Sequence, residues 1–245
     1  KTAPVVVEVK RKLSDLFALN GVPVRSPMNL DELRKKDIPP DRPVQIEGVE
    51  AIDPLSFFVG RVAIDFTEDK SSLSLANLAN YIDRSTGIVK SATGELLWDY
   101  KKGVVIVDSP KVQGVVGFLG KAGTIKLRDV SIESQMEYGT ILLVSLDDKP
   151  IASSHKLLLQ VMSEEKNKGW SAPGEGLREI KSVGTPPIML RCFSGLIKLN
   201  RPDASRLSVI LLDDNGYPIE KLRGAQSFSL KDRNLFYIIS MQEGE

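Results

Sequence analysis

Between Gly94 and Gly120 the chain is cut into pieces too short for helices. Glu95-Leu-Leu-Trp-Asp99, Val104-Val-Ile-Val-Asp108 and Val112-Gln-Gly-Val-Val-Gly117 are separated by Lys-Lys-Gly and Ser-Pro. Runs of four to six β-branched and aliphatic residues between Gly and Pro punctuation form strands joined by tight turns, because β-branched side chains pack well on a pleated surface. The segment holds no nucleophile with a base, no cluster of metal ligands and no phosphate loop. It therefore predicts an antiparallel sheet and declares no reaction.

The same writing continues beyond it. Strands are predicted near 95–99, 103–108, 112–119, 124–127 and 129–134, and two longer apolar ones over 137–146 and 155–162, joined by Asp147-Asp-Lys-Pro150. Further strands are predicted near 178–183, 187–193, 195–199, 206–213, 217–222, 226–230 and 235–241. Asp213-Asp-Asn-Gly216 between two apolar runs carries the signature of a type I′ hairpin turn. Many short strands at this spacing predict an all-β protein: an antiparallel, jelly-roll-like β-sandwich and a smaller C-terminal β-sandwich, with a few short helices. The last part is also long enough to supply the closing strands of one larger sandwich.

Residues 1–43 read differently. Val5 to Val9 predict a strand, 12–19 a short amphipathic helix stopped at Asn20-Gly21, and 29–36 a second one closed by Ile38-Pro-Pro40. With prolines at 4, 23, 27, 39, 40 and 43, this stretch reads as a lead-in or linker. Ser74 to Ile82 predicts one more helix, with Leu75, Leu78, Ala79 and Ile82 on one face. In Phe57–Phe66, Val62, Ile64 and Phe66 fall on one side of a strand. Asn167–Gly176 is the clearest break, giving an expected division into a linker over 1–43, a β-sandwich over 44–168 and a small β domain over 177–245.

Composition limits the partners. Of the 245 residues 42% are hydrophobic, enough for a packed core, and 33 basic against 32 acidic residues leave a formal charge of +1. That balance gives no electrostatic footprint for nucleic acid. No apolar run reaches the roughly 18 residues of a membrane span. Cys192, the single cysteine, excludes an intrachain disulfide and is expected to be buried in Ile188-Met-Leu-Arg-Cys-Phe193. The N-terminus has neither an initiator Met nor a signal peptide and reads as the start of a fragment or a processed chain.

Candidate chemistry is sparse. His155 is the only histidine, and it sits at a strand entry beside Ser153 and Ser154 with no Gly-x-Ser-x-Gly elbow, so no triad is suggested. One His and one Cys cannot supply a usual zinc ligand set. No catalytic residue and no metal ligand is therefore assigned, and no cofactor is expected. A structural calcium ion at Asp213-Asp-Asn-Gly216 stays open, although the terminal bidentate Glu of a calcium loop is missing. Glu47, Glu50, Asp65, Glu95, Asp99, Asp108 and Glu133 lie in or beside predicted strands, and paired carboxylates among them would suit glycoside hydrolysis. No spacing singles out a pair. For carbohydrate binding, which stacks the apolar face of a sugar on a flat ring, the candidates are Trp98, Tyr100 and Trp170. Trp98 sits between Leu97 and Asp99 in a strand and is expected in the core, whereas Trp170 lies in a Gly/Pro-rich loop.

Four segments carry a resemblance: Asp53-Pro-Leu-Ser-Phe-Phe-Val-Gly-Arg-Val62, Ser91-Ala-Thr-Gly-Glu-Leu-Leu-Trp-Asp-Tyr100, Asp108-Ser-Pro-Lys-Val-Gln-Gly-Val-Val-Gly-Phe118 and Val144-Ser-Leu-Asp-Asp-Lys-Pro-Ile-Ala-Ser-Ser154. Together they resemble the C-terminal β-sandwich region of large bacterial glycoside-hydrolase-like proteins, in which a (β/α)₈ barrel precedes the sandwich. The resemblance covers residues 44 to about 165, and the remainder is similar to the small terminal β domain of such proteins. It implies a non-catalytic accessory region that packs on the catalytic domain of the same parent protein and helps hold a polysaccharide, in an extracellular, periplasmic or cell-surface location. The catalytic carboxylates would lie on the barrel, so none is carried over. A hydrolase in its own right and a structural or adhesion module of a cell-surface protein remain the alternatives.

Overall fold

A computed structural model describes residues 1–12, 52–70, 72–172 and 180–241. The chain forms two compact units, Lys1–Gly94 and Glu95–Glu245. They do not coincide with the expected segments 44–168 and 177–245. The helices expected over 12–19 and 29–36, and Glu47 and Glu50, lie outside the described residues.

In the first unit β1 (Val5–Lys12) is the central strand of a three-stranded sheet, between β2 (Arg61–Thr67) and β3 (Ser72–Leu75). β1 and β2 run parallel, with Val7 opposite Val62 and Val9 opposite Ile64. β3 is antiparallel, with Leu75 opposite Val7 and Leu73 opposite Val9. Alternate side chains share a face, so Val7 and Val9 come together with Val62 and Leu73, and both valines are buried. Phe57 and Phe58, expected in the strand, lie instead in α1 (Ser56–Val59), a single turn ahead of β2. The expected helix over 74–82 is also absent. Ser74 and Leu75 pair with β1, and the Asn77 side chain accepts a hydrogen bond from the Ala79 amide at 3.0 Å. Cross-strand pairing and an Asx turn thus take the backbone groups that the helix would have used. β4 (Ile82–Asp83) and β5 (Ile88–Lys90) form a short hairpin.

The second unit is an all-β sandwich. Its larger sheet has the order β17 (Pro218–Arg223), β16 (Leu207–Leu212), β19 (Phe236–Met241), β12 (Lys156–Ser163), β11 (Gly139–Ser145), β8 (Val112–Gly117), β7 (Val104–Asp108), β6 (Leu96–Asp99). The smaller sheet is β18 (Phe228–Ser229), β15 (Leu196–Leu199), β10 (Val130–Glu133), β9 (Ile125–Lys126). Neighbouring strands within these sheets are antiparallel.

Period-two burial builds the core. Ile141 and Leu143 of β11 stand opposite Val161 and Leu159 of β12, and Leu159 in turn stands opposite Tyr237 of β19. All five belong to one apolar cluster that also takes in Val130, Ile132 and Ile197 of the smaller sheet. Each such fully buried aliphatic side chain contributes about 1.5–3 kcal/mol relative to exposure. β12 and β19 share a sheet, so β15 to β19 are the closing strands of one larger sandwich, the other possibility for the last part of the chain.

Polar groups inside the sandwich are satisfied in pairs. Gln113 of β8 is fully buried; its amide nitrogen donates to the Asp129 carboxylate at 2.6 Å, and its carbonyl accepts the Asp129 amide at 2.9 Å. The Tyr237 hydroxyl accepts the Lys231 amide at 2.9 Å, and burial pushes its pKa up. Arg201, its side chain only 2% exposed, donates to the carbonyls of Ile151 and Ser154 and makes two hydrogen bonds to Asp203. That guanidinium holds the β11–β12 loop from inside, while Asp147 holds it from outside. The Asp147 carboxylate accepts from Ser145, Ser154 and the amides of Lys149 and His155.

Between β12 and β15 the chain leaves the sandwich as a ribbon of two strands, β13 (Glu165–Lys168) and β14 (Thr185–Leu190). Every residue of β14 is exposed. The strand expected near 178–183 reduces, among the described residues, to an isolated bridge between Ser171 and Ser182. Cys192 is exposed rather than buried, because it stands where the ribbon rejoins the sandwich; its thiol is hydrogen-bonded to the Asp232 carboxylate, which raises its pKa. The Asp213–Gly216 turn joins β16 to β17 as expected but is not type I′. Only Gly216 takes a positive φ, at 87°, and the Gly216 amide bonds the Asp213 carbonyl at 3.0 Å. A type I turn followed by a left-handed glycine is the three-residue hairpin solution.

Candidate functional site

Four aromatic side chains gather around the β6–β7 turn and the end of β8. Trp98, on β6, stands opposite Val105 of β7. Its neighbours in register, Leu97 and Asp99, stand opposite Ile106 and Val104, which line the core. The alternation therefore sends Trp98 to the sheet face turned away from the core, where it is half-buried, and corrects the expectation that it fills the interior. Tyr100 follows at the turn, its ring centroid 5.8 Å from that of Trp98 and its plane tilted by 69°. An edge-to-face pair stabilises itself but offers no common flat platform.

The second pair is Phe118 and Tyr138, with centroids 5.4 Å apart at 75°. They are 39% and 44% exposed. Two glycines place Phe118. Gly103 has φ +68° and lies so close that an added Cβ would come within 2.6 Å of Phe118 Cδ2. Gly117 has φ +129°, and a Cβ there would run into the Gly103 carbonyl. Only glycine fits both the positive φ and the space. The Phe118 amide then bonds the Gly103 carbonyl at 3.1 Å. Immediately after Phe118 comes α2 (Leu119–Ala122), whose Lys121 ammonium lies 5.1 Å from the Phe118 centroid.

Next to Tyr138, Glu137 forms an ion pair with Arg191, which also binds Glu164 at 2.9 Å. The two carboxylates thus meet on one guanidinium, at the root of the ribbon. Hydrogen bonding from Lys166, added to by the charges of Lys166 and Arg191, holds Glu164 below the usual carboxylate range. Glycoside hydrolysis needs one carboxyl kept protonated by a raised pKa. Asp83, Asp147 and Asp203 are lowered too, by hydrogen bonds from Ser85, from His155 and from Arg201 respectively. These perturbed carboxyls are built as anions, not as general acids.

The remaining sequence candidates fall elsewhere. Trp170 is half-buried just past β13, its amide bonded to the Asn167 carbonyl at 3.0 Å, and belongs to the ribbon rather than to the aromatic end. His155 is exposed at the entry to β12, where its amide serves Asp147. Asp99 and Asp108 form ion pairs with Lys102 and Arg128. The Asp213 carboxylate accepts the amides of Asn215 and Tyr217 and so closes its own turn. Among the described residues no group of three or more His, Cys, Asp or Glu is placed to hold a metal ion. An open cleft of about 570 Å³ in the first unit is lined by Asp53, Leu78, Ala79, Ile82, Asp83 and Arg84, but Asp53 and Arg84 are paired with each other.

Residue patterns alone did not select Phe118, Lys121 or Tyr138. The usable signal was the pair Gly103 and Gly117-Phe118, two glycines poised to bring one strand end against a neighbouring turn. Among the described residues no helix is long and apolar enough to cross a membrane. Compared with family models, curated proteins and solved structures, the chain matches none.

Proposed function

We propose that this chain is a non-catalytic accessory β-sandwich region of a bacterial carbohydrate-active protein. In this reading it packs on the catalytic domain of the same parent protein, outside the cytoplasm, and helps hold a glycan. The observation that carries the glycan part is the aromatic end of the sandwich, where exposed rings stand beside ionic side chains on a scaffold fixed by glycines. Sugar binding uses such rings for the apolar face of a pyranose and polar groups for its hydroxyls. Support for packing comes from the larger sheet. Leu142, Val144, Leu158, Ile210 and Ile238 alternate with core residues and fall on the face away from the core, only half-buried. A sheet with one solvated face is normally polar on that face.

Two measurements test the reading. A barrel-coding region upstream of Lys1 in the gene, together with glycan retention by this chain without turnover, is the expected result. Hydrolysis of a glycan by this chain alone, abolished by an Asp or Glu substitution, would overturn the accessory role.

A further inference from the structure

We propose that Tyr138 and Lys121 form a contact site for an acidic glycan, a chain of pyranoses bearing carboxylates, with one sugar ring lying on Tyr138. The inference rests on the glycan-binding part of the reading above and adds the site and the ligand class.

Tyr138 is the most exposed of the four rings at this end. Trp98 and Tyr100 pack edge to face and are half-buried, and Phe118 closes on Gly103, lies beneath Lys121 and packs edge to face with Tyr138. Tyr138 therefore presents the most ring surface to a ligand. Charge selects the class of sugar. The turn after β6 and α2 bring Lys102 and Lys121 to this end, on a chain whose formal charge is only +1. Asp99 takes Lys102 at 3.7 Å, and among the described residues no carboxylate lies within ion-pair distance of Lys121. Held over a ring and with no hydrogen-bond acceptor engaged among the described residues, the ammonium suits a carboxylate better than a neutral hydroxyl. Glu137, beside Tyr138, shares Arg191 with Glu164, and Lys166 also pairs with Glu164, so two cations balance the two carboxylates next to the site.

The test is affinity electrophoresis and titration calorimetry of the full 245-residue chain with polygalacturonate and alginate as acidic probes, and cellohexaose and galactomannan as neutral ones. The acidic probes are expected to bind. Tyr138→Ala should weaken them roughly tenfold, as for a lost ring contact, and Tyr138→Phe should not. Lys121→Gln should cost roughly threefold and flatten the salt dependence. Unchanged melting of all three variants makes these losses local. Acidic binding that survives Tyr138→Ala and Lys121→Gln would overturn the site while leaving the accessory reading in place. Binding of the neutral probes alone, lost in Tyr138→Ala, would overturn the acidic class. Failure to bind any of the four would overturn the site and remove the glycan part of the accessory reading, with the packing part still to be judged from the gene.

Discussion

β12 and β14 are both rich in apolar residues, and their fates are opposite. Leu157, Leu159 and Val161 of β12 are fully buried, whereas Ile188, Met189 and Leu190 of β14 stand in solvent. Both strands have hydrogen-bonded partners. β12 has a strand on each side and joins a core supplied by a second sheet, and among the described residues β14 pairs only with β13. The contrast teaches that strand-forming residues do not decide burial; a second layer does. What holds the ribbon to the sandwich at its root is polar: the Ser163 hydroxyl donates to the Arg191 carbonyl at 2.8 Å, and the Arg191 side chain engages Glu137 and Glu164.

Substitutions should grade along that contrast. Leu159→Ala removes a side chain at the centre of the core and should cost about 2–5 kcal/mol in urea unfolding, the largest effect expected. A cost below about 1 kcal/mol would mean that the two sheets do not share one close-packed core. Gln113→Ala should come next, at about 1–3 kcal/mol, because the Asp129 amide and carboxylate lose their buried partner. Asp147→Asn should have a smaller effect, and one that depends on pH. Hydrogen bonds led by the His155 amide hold the Asp147 pKa below its unfolded value, so its contribution is present above about pH 4 and is lost as pH falls further. The difference in urea midpoint between wild type and Asp147→Asn should therefore be clear at pH 7 and shrink at pH 3. Ile188→Ser in the ribbon should change global stability by less than about 0.5 kcal/mol. A larger loss would show that β14 is covered in solution.

The strands were largely legible because their causes are local. Alternating apolar residues between turn formers located β7, β11, β12, β16 and β19 to within a residue or two. Errors came where partners distant in sequence decide. Nothing within Ser74–Ile82 reveals that Ser74 and Leu75 will pair with Glu8 and Val7. Nothing around Cys192 reveals that the preceding strand leaves the core. For Trp98, alternation says which residues share a face but not which face is inner; that choice depends on β7 and its contact with the core. The pairing of Tyr138 with Phe118 is hidden from the sequence for the same reason. They are separated by α2, β9 and β10 in sequence, and they meet only after β8 and β11 have paired, with Gly117 opposite Gly139.

The position of β19 sets the order in which this molecule can be completed. β19, the last strand among the described residues, lies between β12 and β16, so both wait for it before their inner edges are paired. During synthesis the growing polypeptide must carry two apolar strands with open edges until Phe236–Met241 emerges, a topology that folds slowly and invites strand exchange between molecules. A stop codon ahead of Phe236 would therefore do more than shorten the protein: it would leave the middle of the sheet open.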